Sequence, residues 1–367
     1  MNQQRLLDTF LEYVQIDSEM LHEKAFCDRL VQDLTALGAI ITLDHAGAQL
    51  GSDTSNLFAW FDGDPTQEPI LFDCHMDTVA PGCGIVPYLE DGIIRSRGET
   101  VLGADDKSGI AAIVEALRTI KEQKLAHRPV QLVFTIFEEG GVRGAACLDR
   151  SLLRAKQCVV FDCGGDVGKI VTGAPGHAKL RVQITGRAAH AGAAPEQGIN
   201  AVQVGAAALS QMKLLRVDSE TTANIGTFQA VGETNVVQAH AFLELEARSR
   251  DPQKLDEQLA HMVDCFKNAC QQFGATFSYE IETSYQAYRL DIQTPLVQLV
   301  AGALRKAGIE PEFATAGGGS DANCYNSYGI PAVVVSTGMQ KNHSSSEYIT
   351  VKNLEDCTQL ALALLCI

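Results

Sequence analysis

The first part of the chain alternates short apolar runs with amphipathic segments. The runs at 70–72, 130–137 and 157–161 are largely apolar, which is typical of parallel strands buried on both faces. The segments at 1–14 and 110–125 have apolar residues at helical spacing instead. This alternation of strands and helices predicts an α/β domain with a parallel sheet.

The pattern changes after Gly176. Apolar and polar residues alternate over 178–185, which indicates an antiparallel strand with one wet face. An α+β unit follows, with helices expected at 199–215 and 251–273 and strands at 222–228, 236–247 and 276–282. Helix and strand alternation then resumes at 295–306, 331–336 and 351–365. We therefore predict an α+β domain at 175–284, inserted into an α/β domain formed by 1–174 and 285–367.

Composition narrows the class of protein. A chain of 367 residues with 46% hydrophobic content can bury two cores. The 29 basic and 45 acidic residues give a formal charge of −16, which opposes binding to nucleic acid or to an anionic membrane surface. No apolar run approaches the roughly 20 residues that cross a bilayer, and no export signal is visible. The 11 cysteines include no Cys-x-x-Cys pair, so we expect free thiols and a cytoplasmic location.

Acids and histidines follow several of the predicted strands. His75 and Asp77 come after the first run, Glu138 and Glu139 after the second, and Asp162 after the third. Because the carboxyl ends of parallel strands gather at one edge of an open sheet, these side chains are expected to lie near one another. Each cluster alone has a simpler interpretation, such as a helix cap or a solvated acidic loop.

Two further clusters strengthen the prediction of a metal site. Asp105 and Asp106 are adjacent in a Gly-rich turn, where two carboxylates repel each other unless a cation lies beside them. An acidic helix start explains one of these acids but not both. His343 follows the run 332–336. Histidine and carboxylate ligands without thiolates suit two Zn²⁺ ions or related divalent ions, with Asp77 as the partner that fixes the tautomer of His75.

Taken together, these motifs resemble the M20 family of dinuclear zinc peptidases, and within it the peptidase T-like branch. The matching pieces occur in family order over nearly the whole chain: His75-Met76-Asp77, Gly103 to Lys107, Glu138-Glu139, Asp162 to Gly165 and His343 to Tyr348. The resemblance implies a catalytic domain with a mixed, mostly parallel sheet flanked by helices. It also implies that the insert is a lid that pairs two subunits into a homodimer.

The resemblance also implies a role for each matching residue. His75, Asp105 and Asp162 would hold one ion, while Asp105, Glu139 and His343 would hold the other, so that Asp105 bridges. The ions would be Zn²⁺, with Co²⁺ or Mn²⁺ as alternatives. Glu138 would be the general base, supported by Asp77, and the Asp105–Asp106 peptide bond would be cis. Local sequence does not distinguish Asp105 from Asp106.

Four residues are candidates for substrate binding. Three of them, His190, Asn235 and Arg248, lie in the predicted insert. Without the resemblance, each of the three has an ordinary structural explanation. The resemblance implies that His190 stabilises the oxyanion and that Arg248 grips a substrate carboxylate. Ser320 follows the Gly-rich turn 316–319, whose bare backbone can approach a ligand closely. No Gly-Lys-Ser/Thr ending follows this turn, so it does not match a phosphate-binding P-loop.

The predicted activity is hydrolysis of small peptides. The chain departs from tripeptide aminopeptidases in two places: 30 residues separate His75 from Asp105, where those enzymes carry a longer excursion, and Phe137 stands where they have an acid. A carboxypeptidase or an N-acyl amino acid amidohydrolase therefore remains an alternative. Alternatives from other classes are a two-metal phosphoesterase and an inactive scaffold that acts as a binding protein.

Overall fold

The computed structural model describes residues 1–366. The chain forms two compact units, one made of Met1–Ala174 with the C-terminal part from Tyr288, and the other of Pro175–Ala287. The insert is predicted at 175–284, and the second unit of the structure ends three residues later, at Ala287. The difference arises because its last strand continues to Tyr285. No helix among the described residues is long and apolar enough to span a bilayer.

The helices and strands are named in chain order. The helices are α1 Gln3–Val14, α2 Lys24–Leu37, α3 Ala46–Leu50, α4 Ala104–Gln123, α5 Arg143–Ala146, α6 Ala201–Ser210, α7 Pro252–Phe273, α8 Pro295–Lys306, α9 Asp321–Ser327 and α10 Val351–Leu365. The strands are β1 Ile40–Leu43, β2 Leu57–Phe61, β3 Ile70–His75, β4 Pro87–Glu90, β5 Ile93–Ser96, β6 Val130–Thr135, β7 Cys158–Cys163, β8 Lys169–Val171, β9 Gly173–Ala174, β10 Gly176–Thr185, β11 Leu215–Arg216, β12 Thr221–Gln229, β13 His240–Ser249, β14 Thr276–Tyr285, β15 Tyr288–Arg289, β16 Glu312–Ala314, β17 Ala332–Ser336 and β18 Tyr348–Thr350.

The first unit is built on an eight-stranded sheet with the order β1-β2-β6-β3-β7-β17-β8-β16. The pairs β3–β6, β3–β7, β7–β17 and β8–β16 are parallel, whereas β1–β2, β2–β6 and β8–β17 are antiparallel. Helix α4 packs against β3, β7 and α10. This confirms the predicted mixed, mostly parallel sheet flanked by helices.

The central strands are buried because they carry apolar side chains on both faces. Every residue of β3 and of β6 is buried. Phe72 of β3 packs edge-on against Phe161 of β7, with ring centroids 5.0 Å apart. A rigid central sheet of this kind fixes where each strand ends, and therefore where the side chains that follow it lie.

The second unit is an antiparallel sheet of order β11-β12-β13-β10-β14 with two helices on one face. Its β10 has the alternating burial that the sequence pattern predicts, with Ala178, Leu180, Val182 and Ile184 in the core. Helices α6 and α7 cover these residues through Val204, Met262 and Phe266, among others. The opposite face of the sheet carries charged side chains.

Several predicted elements have different bounds; the strand predicted at 236–247, for example, is His240–Ser249. The helix predicted at 110–125 begins at Ala104, because the turn with the two aspartates leads directly into it. The helix predicted at 199–215 ends at Ser210; the apolar residues after it belong to a turn and to β11. The strand predicted at 130–137 ends at Thr135, and Phe137 has a positive φ of 50° that no regular strand contains.

Candidate metal centre

Three adjacent strands bring acids and a histidine to one edge of the large sheet. His75 is the last residue of β3, which lies between β6 and β7 and runs parallel to both. Glu138 and Glu139 follow β6, and Asp162 lies near the end of β7. The three strand ends therefore meet, as the sequence pattern predicts.

His75 is held by the backbone of a neighbouring residue. Its Nδ1 lies 2.8 Å from the carbonyl oxygen of Asp77, and the ring nitrogen donates to this carbonyl. Its Nε2 then faces the carboxylates, at 3.0 Å from Oδ1 of Asp105 and 3.7 Å from Oδ1 of Asp162. A carbonyl acceptor on one ring nitrogen leaves the lone pair of the other for a ligand, which is the usual arrangement at metal-bound histidines.

Asp105 lies at the centre of the cluster. Its Oδ1 faces His75, and its Oδ2 lies 3.1 Å from Nε2 of His343 and 2.9 Å from Nδ2 of Asn342. The Asp105–Asp106 peptide bond is cis. Asp106 is fully buried and belongs to none of the groups of donor atoms that converge here. The structure thus separates two adjacent acids that local sequence does not distinguish.

The remaining donors complete two overlapping groups. Nε2 of His343 lies 2.9 Å from Oε1 of Glu139, and both lie beside Asp105. Within residues 1–366, donor atoms of His75, Asp105 and Asp162 lie within 4.8 Å of one another, as do those of Asp105, Glu139 and His343. Glu138 joins His75 and Glu139 in a third such group. All six side chains are brought together.

The electrostatics of this cluster suit divalent cations. Burial, together with the charge of Asp105, raises the pKa of Asp162 well above its usual value, and burial likewise raises the pKa of Glu138 and Glu139. Hydrogen bonds to Asp105 and Glu139 raise the pKa of His343 to about 10. Carboxylates crowded in this way repel one another, and a cation among them removes the repulsion. The oxygen and imidazole donors fit Zn²⁺, Co²⁺ or Mn²⁺.

The carboxylate of Asp77 has a different partner from the one expected. Its Oδ1 lies 3.6 Å from Nδ1 of His75, and it is the backbone carbonyl of Asp77 that accepts from that ring. The two carboxylate oxygens instead accept from the backbone N–H groups of Glu138 and Glu139, at 2.9 and 3.0 Å. Asp77 therefore ties the β3 end to the glutamate pair.

Glu347 is a buried residue that sequence reasoning missed. Its Oε2 accepts from the backbone N–H groups of Leu102 and Gly103, at 2.7 and 2.8 Å, and its Oε1 from that of Asp105, at 3.0 Å. Burial raises its pKa to about 7. Glu347 thus connects the loop of His343 to the turn that carries Asp105. No local pattern marks this role, because the bonded groups are more than 240 positions apart in the chain.

A cavity of about 270 Å³ opens over the cluster. Besides the acids and histidines, its walls contain small residues, including Gly318, Gly319 and Ala316. Ser320 also lines this cavity, directly before α9, and its backbone N–H donates to Oδ1 of Asn323 at 3.1 Å. The Gly-rich turn therefore borders the cavity, as expected, and Ser320 lies beside the candidate ligands.

The other three predicted substrate residues lie in the second unit. His190 and Asn235 are exposed on neighbouring loops, where Ala191 N–H donates to the carbonyl of Asn235 at 2.9 Å. Nδ1 of His190 accepts from the backbone N–H groups of Gly192 and Ala193, at 3.2 and 3.1 Å. Arg248 lies on β13 and pairs with Glu246, at 3.0 Å between Nε and Oε1.

The chain is similar to a known protein family and to solved structures. The model of peptidase family M20/M25/M40 matches residues 71–366. A Staphylococcus aureus tripeptidase structure is 37% identical, with a TM-score of 0.96, over 100% of this chain and 98% of that one. The aminopeptidase PepT structure from Bacillus cereus is 38% identical, with a TM-score of 0.92 and the same coverage.

A curated relative covers the chain equally well. The Bacillus subtilis protein YqjE is 38% identical over 364 residues, which is 99% of this chain and 98% of the relative. The match to the family model spans every residue of the cluster, from His75 to His343. The chain therefore belongs to peptidase family M20/M25/M40.

Proposed function

We propose that this protein hydrolyses the peptide bonds of small peptides at a centre of two divalent metal ions. The observation that carries the proposal is the convergence of two histidines and four carboxylates at one sheet edge, beneath a cavity, in a chain of a peptidase family. Membership alone gives the class of reaction. The cluster supplies the side chains that such a reaction needs.

Two overlapping groups of donors would hold the ions. His75, Asp105 and Asp162 would bind one, and Asp105, Glu139 and His343 the other, with one oxygen of Asp105 facing each histidine. Zn²⁺ is the ion we favour, with Co²⁺ and Mn²⁺ as alternatives, because the donors are nitrogen and oxygen without thiolate. Ions bound there supply Lewis acidity toward water and toward the scissile carbonyl.

Glu138 is proposed as the general base. Its side chain is buried within the donor cluster, but it is absent from both groups assigned to the ions. Its carboxylate would accept a proton from the attacking water and return it to the departing amine. The Asp77 carboxylate holds the backbone of Glu138 by a 2.9 Å hydrogen bond, which orients the base. A positioned base of this kind contributes about 10² to 10⁴ in rate.

The substrate is proposed to be a short peptide, with tripeptides first, since the similar Staphylococcus aureus structure is a tripeptidase. Ser320 would contact it in the cavity, and His190, Asn235 and Arg248 would contribute from the second unit. Arg248 suits a free carboxylate, because a guanidinium binds carboxylate oxygens in pairs. That property also fits a carboxypeptidase or an N-acyl amino acid amidohydrolase, which is the second candidate.

A homodimer in a reducing cytoplasm is the proposed setting. Strand β14 ends the five-stranded sheet and carries Tyr279 and Ile281, whose exposed fractions are 52% and 41%. An exposed edge strand with apolar side chains is suited to pairing with a second copy.

The state of the cysteines supports a reducing cytoplasm as the location. All 11 cysteines, Cys366 included, are free thiols.

A peptide panel tests the proposal. The protein is loaded with Zn²⁺, Co²⁺ or Mn²⁺ and incubated with di- and tripeptides, N-acyl amino acids and a nitrophenyl phosphate, with a chelated sample as control. We expect metal-dependent cleavage of peptides, and product masses that show which end is trimmed. Cleavage of the phosphate ester with intact peptides would overturn the proposal.

A further inference from the structure

A hydrogen-bonded network crosses three strands of the second unit. Nε2 of His177 lies 3.0 Å from Oε2 of Glu246, and its Nδ1 lies 2.9 Å from the hydroxyl of Ser284. Glu246 also accepts two hydrogen bonds from Arg248. Nε donates to Oε1 at 3.0 Å, and Nη2 donates to Oε2 at 3.1 Å. Ser284, His177, Glu246 and Arg248 therefore form one continuous chain.

The strand register fixes this network. His177 on β10 is paired directly with Arg248 on β13, so the two side chains project from the same face of the sheet. Glu246 stands two residues before Arg248 on the same strand and shares that face. The ring of Tyr285 lies beside that of His177, with centroids 5.5 Å apart. The position of each member is thus set by backbone pairing.

The contact with Glu246 uses only one edge of the guanidinium. Nε and Nη2 point to Glu246, whereas a guanidinium carries five N–H donors in a planar fork. The opposite edge, formed by Nη1 and the second hydrogen of Nη2, can bind another carboxylate with two parallel bonds. Holding one edge fixes the plane of the group, and therefore the direction of the other edge.

We propose that Glu246, locked by His177, is a positioning residue that orients Arg248 to bind the free carboxylate of the substrate. This inference rests on the proposed function and adds to it the residues that hold its carboxylate-binding arginine in place. Arg248 makes the contact with substrate. Glu246 and His177 act through Arg248 and do not contact the substrate.

Burial and charge indicate that this network has a fixed geometry and is more than a surface ion pair. The side chain of His177 is 6% exposed, and those of Glu246 and Arg248 are 32% and 30% exposed. The hydrogen bonds from His177 and then Arg248 hold the pKa of Glu246 near 2. Glu246 is therefore ionised at neutral pH and keeps the guanidinium in place.

A second glutamate on the same strand provides the matched control. Glu244 stands two residues before Glu246, on the same face of β13, and pairs with Arg181, at 3.1 Å between Oε1 and Nε. Among the described residues, its partner is Arg181 and it has no hydrogen bond or ion pair to His177, Glu246 or Arg248. Replacing Glu244 removes the same charge from the same strand and face without touching the network.

The experiment compares full-length wild type with Glu246→Gln, His177→Gln and Glu244→Gln, all loaded with metal. The substrates are a tripeptide that wild type cleaves and the same tripeptide with a C-terminal carboxamide. We expect Glu246→Gln to raise KM for the free acid by about 10-fold with kcat nearly unchanged, because a charge-assisted, two-bond anchor is lost. KM for the carboxamide should stay at the wild-type value. Glu244→Gln should leave both substrates unchanged.

Each result decides the inference. An equal rise in KM for both substrates would show a merely structural role, and a Glu246→Gln enzyme that behaves as Glu244→Gln would refute positioning; either outcome overturns the inference. Should Glu246→Gln fail to fold, His177→Gln carries the test, with a smaller rise in KM for the free acid expected and an unchanged KM overturning it. Wild type that cleaves no peptide or acyl amino acid at all would refute the proposed function itself.

Discussion

Two adjacent aspartates differ in what surrounds them. Asp105 is hydrogen-bonded to two histidines and an asparagine, whereas Asp106 is buried and belongs to none of the groups of donor atoms. Of the two side chains, that of Asp105 belongs to the groups of converging donor atoms. The bridging role proposed for Asp105 therefore depends on the geometry of one turn.

Asp105→Asn is expected to abolish binding of both ions at once, because the two donor groups share this residue. Affinity should fall by more than about 100-fold, the upper end of what outer partners of a metal ligand contribute. Metal content after dialysis, measured by mass spectrometry, checks this. Asp106→Asn is the matched control and should retain both ions; loss of metal in the control alone would reverse the assignment.

Glu138→Gln should separate metal binding from catalysis. The amide keeps the shape of the side chain but accepts a proton poorly, so both ions should remain bound while kcat falls by at least about 10²-fold. The measurement combines metal content with peptide turnover. Near-normal turnover in a fully loaded variant would show that Glu138 is not the base.

At the scale of elements, loops rather than strands complete the cluster. Glu347, directly before β18, accepts hydrogen bonds from three backbone N–H groups at the start of α4. The ends of β3, β6 and β7 are fixed by the sheet, but the turn of Asp105 depends on this one buried carboxylate.

Glu347→Gln should weaken metal binding by about 10- to 100-fold, since an amide presents one oxygen where the carboxylate presents two. Activity should return to near the wild-type kcat when metal is in excess, because Glu347 contacts the turn and no reacting group. A titration of metal against activity and against bound metal checks both parts. Unchanged metal affinity would mean that the turn holds Asp105 without Glu347.

The core of the second unit depends on α7. Phe266 is fully buried there and lies 6.3 Å from Phe277 between ring centroids. Phe266→Ala should lower the free energy of unfolding by about 3 to 5 kcal/mol through lost burial and the cavity left behind. Chemical denaturation measures this. The neighbouring exposed residue supplies the control: Lys267→Ala should change the free energy by less than about 0.5 kcal/mol.

The sequence predicted the framework of the whole molecule better than its connections. Strands β3, β6, β7 and β17 are largely apolar, and helices α7, α8 and α10 have clear apolar spacing, so local patterns suffice for them. Short strands such as β8 and β16 have three residues each and leave no periodic signal. They form because neighbouring strands offer hydrogen-bonding partners.

The candidate site divides in the same way. His75, Glu139 and Asp162 were predictable because they follow buried strands at a known edge of the sheet. The partners of Asp77 and Glu347 were not, because a carboxylate that accepts distant backbone N–H groups has no signature near it in the chain. The separation of Asp105 from Asp106 also requires three-dimensional structure.

The central claim is that distant histidines and carboxylates form one centre for two divalent ions. Anomalous diffraction at the metal absorption edge, from a crystal of metal-loaded protein, tests it most directly. We predict two anomalous peaks, one contacting His75, Asp105 and Asp162 and the other Asp105, Glu139 and His343. Peaks elsewhere, or none among these five residues, would contradict the account.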